Sequence, residues 1–324
     1  MSLKKNEPGD RATVLSGILD HLQDDAQALS YHRLTGLSDL NHDEFGLFKA
    51  TWDYLNTERR CDILGHLQEL AEDNIEYDFG AIFKYALSDA SEPVRLKAIE
   101  GLWENEEPSL IHPLLIILAG DSATTVREAA TVALGRFAIL AECQKIEETN
   151  ITLLSSRLLA VANNTAEPLP LRCRALESVA PLSLADVTQA IWAAYRIEEP
   201  EMHASAIQAM GLNRDPLWLP TIIQELTSDD PDVRFAAVGA SGALGEVEAT
   251  PHLIELLDDP DPEIRIAAVQ ALGNIGGIEA KSAIKRLLQH QESPLREAAV
   301  SALAEIELYE EPFSPPPTGG GLAT

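Results

Sequence analysis

The feature of this sequence that most restricts its fold is a segment that recurs at a fixed interval. Three stretches, which begin at Asp230, Asp261 and Glu292, align without gaps and share the pattern of an apolar residue, Arg, any residue and then Ala-Ala-Val. Their arginines are equally spaced along the chain. A regular period of this kind is typical of stacked structural repeats, each of which is too small to bury its apolar face alone.

The same register extends toward the N-terminus. Equal steps back from Arg234 reach His203 and then Arg172, and a further pair, Arg127 and Arg95, is separated by nearly the same interval. The step from Arg127 to Arg172 is longer than the others, which indicates an insertion of one extra helix or long loop near 141–164. The sequence therefore predicts about seven or eight repeats.

Each repeat has the local signals of a helical hairpin. In the unit that starts at Asp230, an acidic residue followed by Pro predicts the N-cap and first turn of a second helix. Val233 and Ala237 then follow at helical spacing. The glycines predicted to end this second helix in successive repeats are Gly211, Gly242 and Gly273.

These signals predict an all-α protein, a right-handed α-solenoid of helical hairpins. Hydrophobic residues are 45% of the chain but aromatic residues only 5%, as in closely stacked helices rich in Ala, Leu, Ile and Val. We expect residues 1–10 to be a disordered N-terminus and 11–88 to be a helical cap with a degenerate repeat. Residues 89–307 then form the repeats, and 308–324 form a disordered tail rich in Pro and Gly.

Charged residues near the turns are expected to form a ladder of ion pairs between adjacent repeats, with Asp230 or Asp261 bound to Arg234 or Arg265. A partly exposed pair contributes only about 0.2 to 1 kcal/mol, so we expect fastening rather than chemistry. The predicted members of this ladder are Arg95, Arg127, Arg172, Arg234, Arg265, Arg296, Asp230 and Asp261. The four tryptophans, Trp52, Trp103, Trp192 and Trp218, lie near predicted helix ends and are expected to pack at junctions.

The formal net charge of −28 argues against nucleic acid as a partner, because the long-range field repels a phosphate backbone. A basic protein surface is the natural counterpart to such a field, although acidity could serve solubility alone. Three scattered cysteines without CxxC spacing fit a reducing cytoplasm. We expect no membrane span, because no apolar run is long enough for a bilayer, and no export, because residues 1–10 have no apolar h-region.

These patterns resemble the HEAT repeats of the bacterial HEAT-like group named after phycobilisome lyases. The resemblance covers about residues 58–307 and implies an architecture more than an activity, because the group includes chromophore lyases, metal-dependent hydroxylases, alkyl-base glycosylases and scaffolds. Hydroxylase members hold a di-iron centre with His-Glu dipeptides, but none of the eight histidines here precedes Glu. Glycosylase members need a cationic groove. We therefore expect no catalytic residue, metal or cofactor.

The remaining candidate site is a column of side chains on the second helices. In such solenoids these helices line the concave side, and the positions two, three and six after the apolar residue before Arg point away from the shared core. The partner-binding candidates in this column are Phe235, Ile266, Gln270, Gln208, Ser205 and Leu96. The sequence predicts a monomeric, non-catalytic scaffold or adaptor for a protein or peptide. The alternatives are a bilin or tetrapyrrole lyase, a chaperone-like protein, or a column that serves only helix packing.

Overall fold

The computed structural model describes the backbone of residues 8–310 and the side chains of residues 11–308. All regular elements in that range are helices, with no strand. The all-α prediction is therefore confirmed. Most of the predicted disordered ends, 1–10 and 308–324, lie outside the described residues, although the first helix begins at Pro8 and the last ends at Glu310.

The chain divides into two compact units, 1–140 and 141–324. The helices of the first unit are α1 (Pro8–Gln23), α2 (Tyr31–Leu34), α3 (His42–Trp52), α4 (Thr57–Asp73), α5 (Gly80–Ala86), α6 (Glu92–Gly101), α7 (Ile111–Gly120) and α8 (Thr124–Glu142), which crosses the boundary. Those of the second are α9 (Glu148–Ala162), α10 (Leu169–Val179), α11 (Ala185–Tyr195), α12 (Pro200–Asn213), α13 (Leu219–Glu225), α14 (Pro231–Leu244), α15 (Thr250–Glu255), α16 (Pro262–Ile275), α17 (Gly277–Arg286) and α18 (Ser293–Glu310).

In the first unit, a buried arginine ties the first helix to the rest. The Arg59 guanidinium on α4 donates hydrogen bonds of 2.9 to 3.1 Å to four carbonyl oxygens at the end of α1 and in the loop after it. These acceptors belong to His21, Leu22, Asp24 and Gln27. Because the last carbonyls of a helix have no partner within it, one cation satisfies what would otherwise be unpaired acceptors.

In the second unit, the hairpins stack through their second helices. Helices α10, α12, α14, α16 and α18 pack in that order, each against the next, and the first helix of each hairpin packs on its own second helix. The shared interior is apolar, with Ala206, Val238 and Val269 fully buried. This is the arrangement of an α-solenoid, in which each hairpin completes the core of its neighbour.

Small residues set the spacing between these second helices. A Cβ added at Gly211 would lie 2.5 Å from the Cα of Ala240, and one at Gly242 would lie 2.9 Å from the Cα of Ala271. Gly273 meets Ala302 in the same way, at 2.9 Å from its Cβ. No larger residue fits at these glycines without moving the backbone of the next helix.

This close approach corrects the predicted helix ends. Gly211, Gly242 and Gly273 lie inside α12, α14 and α16, which continue beyond them. The left-handed residues that end two of these helices are Arg214, with φ of 57°, and Gly245, with φ of 77°. Glycine is favoured in that conformation because it has no Cβ.

The predicted N-caps are present. The Asp230 carboxylate accepts a hydrogen bond from the backbone N–H of Asp232 at 2.9 Å, and that of Asp261 accepts one from Glu263 at 2.8 Å. A proline follows each cap in the first turn, where a missing N–H costs nothing. Asp230 and Asp261 are therefore occupied with capping.

The arginine ladder takes its carboxylates from other positions. Arg234 binds Asp259 with Nε at 3.0 Å, and Arg265 binds Glu292 with Nη2 at 2.8 Å. The expected pairing with Asp230 or Asp261 is wrong, because both acceptors lie in the turn of the following hairpin. Asp259 stands two residues before the Asp261 N-cap, whereas Glu292 occupies the position that aligns with Asp230 and Asp261, directly before α18. In the first unit, Arg95 binds Asp121 in the same manner, with both oxygens at 2.7 Å.

The same arginines also fasten their own turns. Nη1 of Arg95, Arg234, Arg265 and Arg296 each donates to two carbonyl oxygens of the turn just before its helix, at 2.8 to 3.3 Å. Nε of Arg127 donates to the carbonyl of Leu118, and Nε of Arg172 donates to that of Ala162. One side chain thus satisfies turn carbonyls and, in several repeats, the next hairpin's carboxylate.

The described helices include none that is both long and apolar enough to cross a membrane.

Candidate functional site

A groove of about 580 Å³ runs across three successive second helices of the second unit, α10, α12 and α14. The residues that line it are Pro170, Cys173, Arg174, Glu177, Pro200, Glu201, Ala204, Ser205, Gln208, Leu212, Asp232, Phe235, Ala236, Gly239, Ala240 and Ala243. The second, third and sixth positions of the predicted column lie in it for all three helices. The helix register therefore places these positions on one open face.

The floor on the α14 side is apolar and smooth. Phe235 is 48% exposed, which is high for a phenylalanine, and stands beside Ala236 and Gly239. A Cβ added at Gly239 would meet nothing within 4 Å, so this glycine opens space rather than allowing helix packing. Its role differs from that of Gly211 and Gly242.

The floor on the α10 side is polar and internally bonded. Glu177 accepts a hydrogen bond from Arg174 at 2.8 Å and another from the Ser205 hydroxyl of α12 at 2.9 Å. Ser205 is only 4% exposed, and its hydroxyl also lies 3.3 Å from the carbonyl of Cys173. Glu177 therefore joins two neighbouring repeats, and Ser205 is a structural member of the groove floor rather than an open contact point.

The only cysteine that lines the groove is Cys173, and its thiol is not poised for chemistry. The side chain is 9% exposed, and burial raises the pKa of the thiol. A thiol held in its protonated form is a poor nucleophile. The described part of the chain also contains no group of three or more His, Cys, Asp or Glu side chains that could hold a metal ion.

Acidic residues stand at the edge of the groove. Glu201 and Asp232, in the first turns of α12 and α14, are both exposed. The single cation of the lining, Arg174, is already paired with Glu177. The groove therefore presents an apolar anchor next to two exposed carboxyl groups.

The structure brings together some of the predicted binding residues and separates others. Phe235, Gln208 and Ser205 line the groove. Ile266 is half-buried and Gln270 is exposed on α16, one repeat further along and outside the lining, and Leu96 lies on α6 in the first unit. Glu201 and Asp232 were not predicted, although an acidic residue after a helix-starting proline was a visible signal for them.

Sequence comparison identifies the repeats. The model of the HEAT-repeat family matches residues 187–261 and 250–312, which span α11 to α18. Residues 187–312 are therefore HEAT repeats, and the sequence-based prediction of such repeats is confirmed for that part of the chain. The search of curated proteins gives no significant match.

Several solved structures are similar to this chain. An Escherichia coli protein, YibA, is 16% identical with a TM-score of 0.44, and the match covers 78% of this chain and 97% of YibA. The complex of CpcE and CpcF of phycocyanin lyase from Nostoc is 14% identical with a TM-score of 0.49, covering 94% and 100%. Human deoxyhypusine hydroxylase is 18% identical with a TM-score of 0.31, covering 92% and 98%. At this level of likeness, the activities of those proteins do not transfer to this chain.

Proposed function

We propose that this protein is a non-catalytic scaffold that holds a segment of a partner protein in the groove on α10, α12 and α14. The observation that carries the proposal is the exposed Phe235 ring beside a floor of Ala236 and Gly239. Fully burying such a ring contributes about 1.5 to 3 kcal/mol, so a partner that covers the exposed half recovers a substantial part of that. Aromatic side chains at the centre of a contact are also typical binding hot spots.

The chemistry of the groove favours a partner segment with apolar and basic residues. An apolar side chain covers Phe235, while Lys or Arg meets Glu201 and Asp232 at the edge. The net charge of −28 adds a long-range attraction that raises the association rate for basic partners and weakens with salt. An amphipathic helix or extended segment of this kind is a recurrent form of peptide recognition.

The proposal also includes a monomeric, cytoplasmic protein without a cofactor. Light scattering of the purified chain should give the mass of one 35.2 kDa copy, and a dimer would contradict this part.

The direct test is selection of peptides from a random library on the immobilised protein. We expect enriched peptides to combine apolar residues with Lys or Arg, and their Kd to rise when salt is added. Phe235→Ala combined with Ile266→Ala should weaken binding at least tenfold while helicity and Tm stay nearly unchanged. The matched control is Ile278→Ala, since Ile278 is 91% exposed on a first helix, away from the groove.

Two results would contradict the proposal. A library that yields no peptide dependent on Phe235 would remove the groove as a docking site, and a large fall in Tm for Phe235→Ala would show that the ring serves packing. The claim of no catalysis has its own test, co-expression with a bilin. Colour that stays with the purified protein would favour a chromophore lyase instead.

A further inference from the structure

The exposed carboxyl groups at the edge of the groove occupy one repeat position. Glu201 of α12 and Asp232 of α14 each follow the proline that begins their helix, and Glu263 of α16 does the same in the next repeat. All three side chains are exposed, and none forms a hydrogen bond or an ion pair with another described residue. Because these helices pack side by side, the three groups form a carboxyl row that runs across α12, α14 and α16.

The spacing of this carboxyl row is set by the packing of the second helices. Residues at one repeat position are separated by the distance between neighbouring helices, which is about 8 to 10 Å for packed helices. Gly211 against Ala240 and Gly242 against Ala271 leave no larger side chain between the helix backbones, so the helices here are closely packed. Cations of a partner that meet successive carboxyl groups must therefore recur at about this interval.

Few backbone conformations place the side chains of one face at that interval. A polyproline II segment has three residues per turn and rises about 3.1 Å per residue, so residues three apart share a face and lie about 9 Å apart. In a β-strand, successive residues of one face lie about 7 Å apart, and alternate ones about 13 Å apart. In an α-helix, neighbours on one face lie about 5 to 6 Å apart, and residues seven apart lie about 10 Å apart. Basic residues every three positions in a polyproline II segment, or every seven in a helix, fit the row.

The floor of the groove favours the extended segment over the helix. Gln208 is exposed on α12, and its side-chain amide offers both a donor and an acceptor. At the same repeat position of α14, Gly239 has open space where a Cβ would be, which lets a partner backbone approach closely. A polyproline II segment makes no internal hydrogen bonds and can use this amide, whereas a helix has already paired its own backbone groups.

We propose that the groove binds its partner as a polyproline II segment in which Lys or Arg recurs at every third residue. The cations meet Glu201 and Asp232, and a longer segment continues to Glu263 on α16. Apolar residues between the cations cover the exposed ring of Phe235. This inference rests on the proposed function and adds the conformation and the period of the partner segment.

The test is calorimetric titration of the full chain with three peptides whose ends are acetylated and amidated. The first consists of four Lys-Pro-Leu triplets, and the second has the same composition with its four lysines adjacent. The third is a helix rich in Ala and Leu with four lysines that are seven positions apart. We expect the triplet peptide to bind at least five times more tightly than each of the other two.

A pair of matched variants assigns this preference to the carboxyl row. Glu201→Gln combined with Asp232→Asn removes two members of the row and should abolish the preference. The control is Glu248→Gln combined with Glu279→Gln, which removes two exposed carboxyl groups outside the groove lining and should leave the preference unchanged. Both double variants should keep the helicity of the unmodified chain in circular dichroism, because all four side chains are exposed.

Three results would overturn the inference. They are equal or tighter binding of either comparison peptide, an unchanged preference in the variant of Glu201 and Asp232, and no binding of the triplet peptide at millimolar concentration. Failure of the proposed function is a different result, in which no library peptide depends on Phe235. Library peptides that depend on Phe235 but bind irrespective of lysine spacing would keep the docking site and remove its three-residue period.

Discussion

The residue at the repeat arginine position makes different interactions in two parts of the second unit, hairpins α13–α18 and hairpins α9–α12. In α13–α18 the position holds Arg234, Arg265 or Arg296, whose guanidinium binds the carbonyls of its own turn. Arg234 and Arg265 also bind a carboxylate of the next hairpin. In α9–α12 the position holds Arg172, which binds one carbonyl, and His203.

Around His203 an aromatic cluster does what the ion pair does elsewhere. The His203 ring stacks on Tyr195 with centroids 4.6 Å apart, and Nδ1 bonds to the Tyr195 carbonyl at 2.8 Å. The Tyr195 hydroxyl donates to Glu225 of the next hairpin at 2.5 Å, and Trp192 packs on Trp218. In both regions the turn carbonyls are hydrogen-bonded and the hairpin is joined to the next one. An arginine does this in one region, and a cluster of aromatic rings does it in the other.

The largest expected effect lies at the border of the two regions, where α12 meets α14. Gly211→Val places a side chain where even a Cβ would be 2.5 Å from the Cα of Ala240, and should lower the free energy of unfolding by about 3 kcal/mol. Chemical denaturation measures this. Gly239→Ala is the matched control on α14, because open space surrounds Gly239, and it should be neutral or stabilising by up to about 1 kcal/mol. Equal losses in both variants would show that glycine is needed for another reason.

The next effect separates two rungs of the arginine ladder. Asp259 has a side chain that is 4% exposed and accepts from Arg234, so Asp259→Asn should cost about 2 kcal/mol. Glu292 is half exposed in its pair with Arg265, so solvent screens the pair and Glu292→Gln should cost clearly less than Asp259→Asn. Urea melts of the two variants test the difference. If Glu292→Gln lowers the free energy of unfolding as much as Asp259→Asn does, burial does not determine the strength of these ion pairs.

The aromatic region should respond to alkali. Burial and the hydrogen bond to Glu225 raise the pKa of Tyr195 from 10.0 to about 12. The protonated hydroxyl therefore contributes its full stabilisation below pH 10, and that contribution falls as pH rises from 10 to 12. Ultraviolet titration of the phenolate should show one tyrosine with a pKa of about 12 that disappears in Tyr195→Phe. An unchanged titration curve in that variant would contradict the assignment.

The smallest expected effect is a loss of stability in acid that comes from the ion pair between Glu292 and Arg265. The hydrogen bond from Arg265 lowers the pKa of the Glu292 carboxyl below 4.5. Its stabilisation is therefore present above pH 4.5 and is lost as pH falls through the lowered value. Melting temperatures of Glu292→Gln and the unmodified chain should converge in acid and differ slightly at neutral pH. A difference that widens in acid would reverse this sign.

The repeat, the hairpin and the N-caps could be read from the sequence because each has a local physical cause. Asp-Pro fixes a helix start, and the even spacing of the repeat arginines fixes the stacking partner. The ends of the second helices were predicted at Gly242 instead of Gly245, since this repeat has two candidate glycines and only one is near a neighbour's backbone. Sequence spacing alone does not show which glycine packs against the neighbouring helix and which one ends its own helix.

The sites were predicted less completely for a related reason. The column of side chains follows from helical periodicity, so Phe235 and Gln208 were found. The length of the groove was not predicted, because it depends on where the neighbouring helices diverge. Trp103 was expected to pack at a junction, as the buried Trp52 and Trp218 do, but it is 64% exposed. Trp103 follows the end of α6, and helix ends are the feature that sequence patterns locate least well.

The Gly-to-Ala contacts of the second unit have a consequence for how such a chain can change. Three successive junctions each place a glycine against an alanine of the next second helix: Gly211 against Ala240, Gly242 against Ala271 and Gly273 against Ala302. The glycine of one junction could therefore pack against the alanine of another. Removal of residues 231–261 would join Asp230 to Pro262 and set Gly211 against Ala271 with the same fit. Duplication or loss of a whole hairpin thus requires no new interface. The surface formed by the second helices can therefore become longer or shorter while the helix-to-helix contacts that hold it together stay the same.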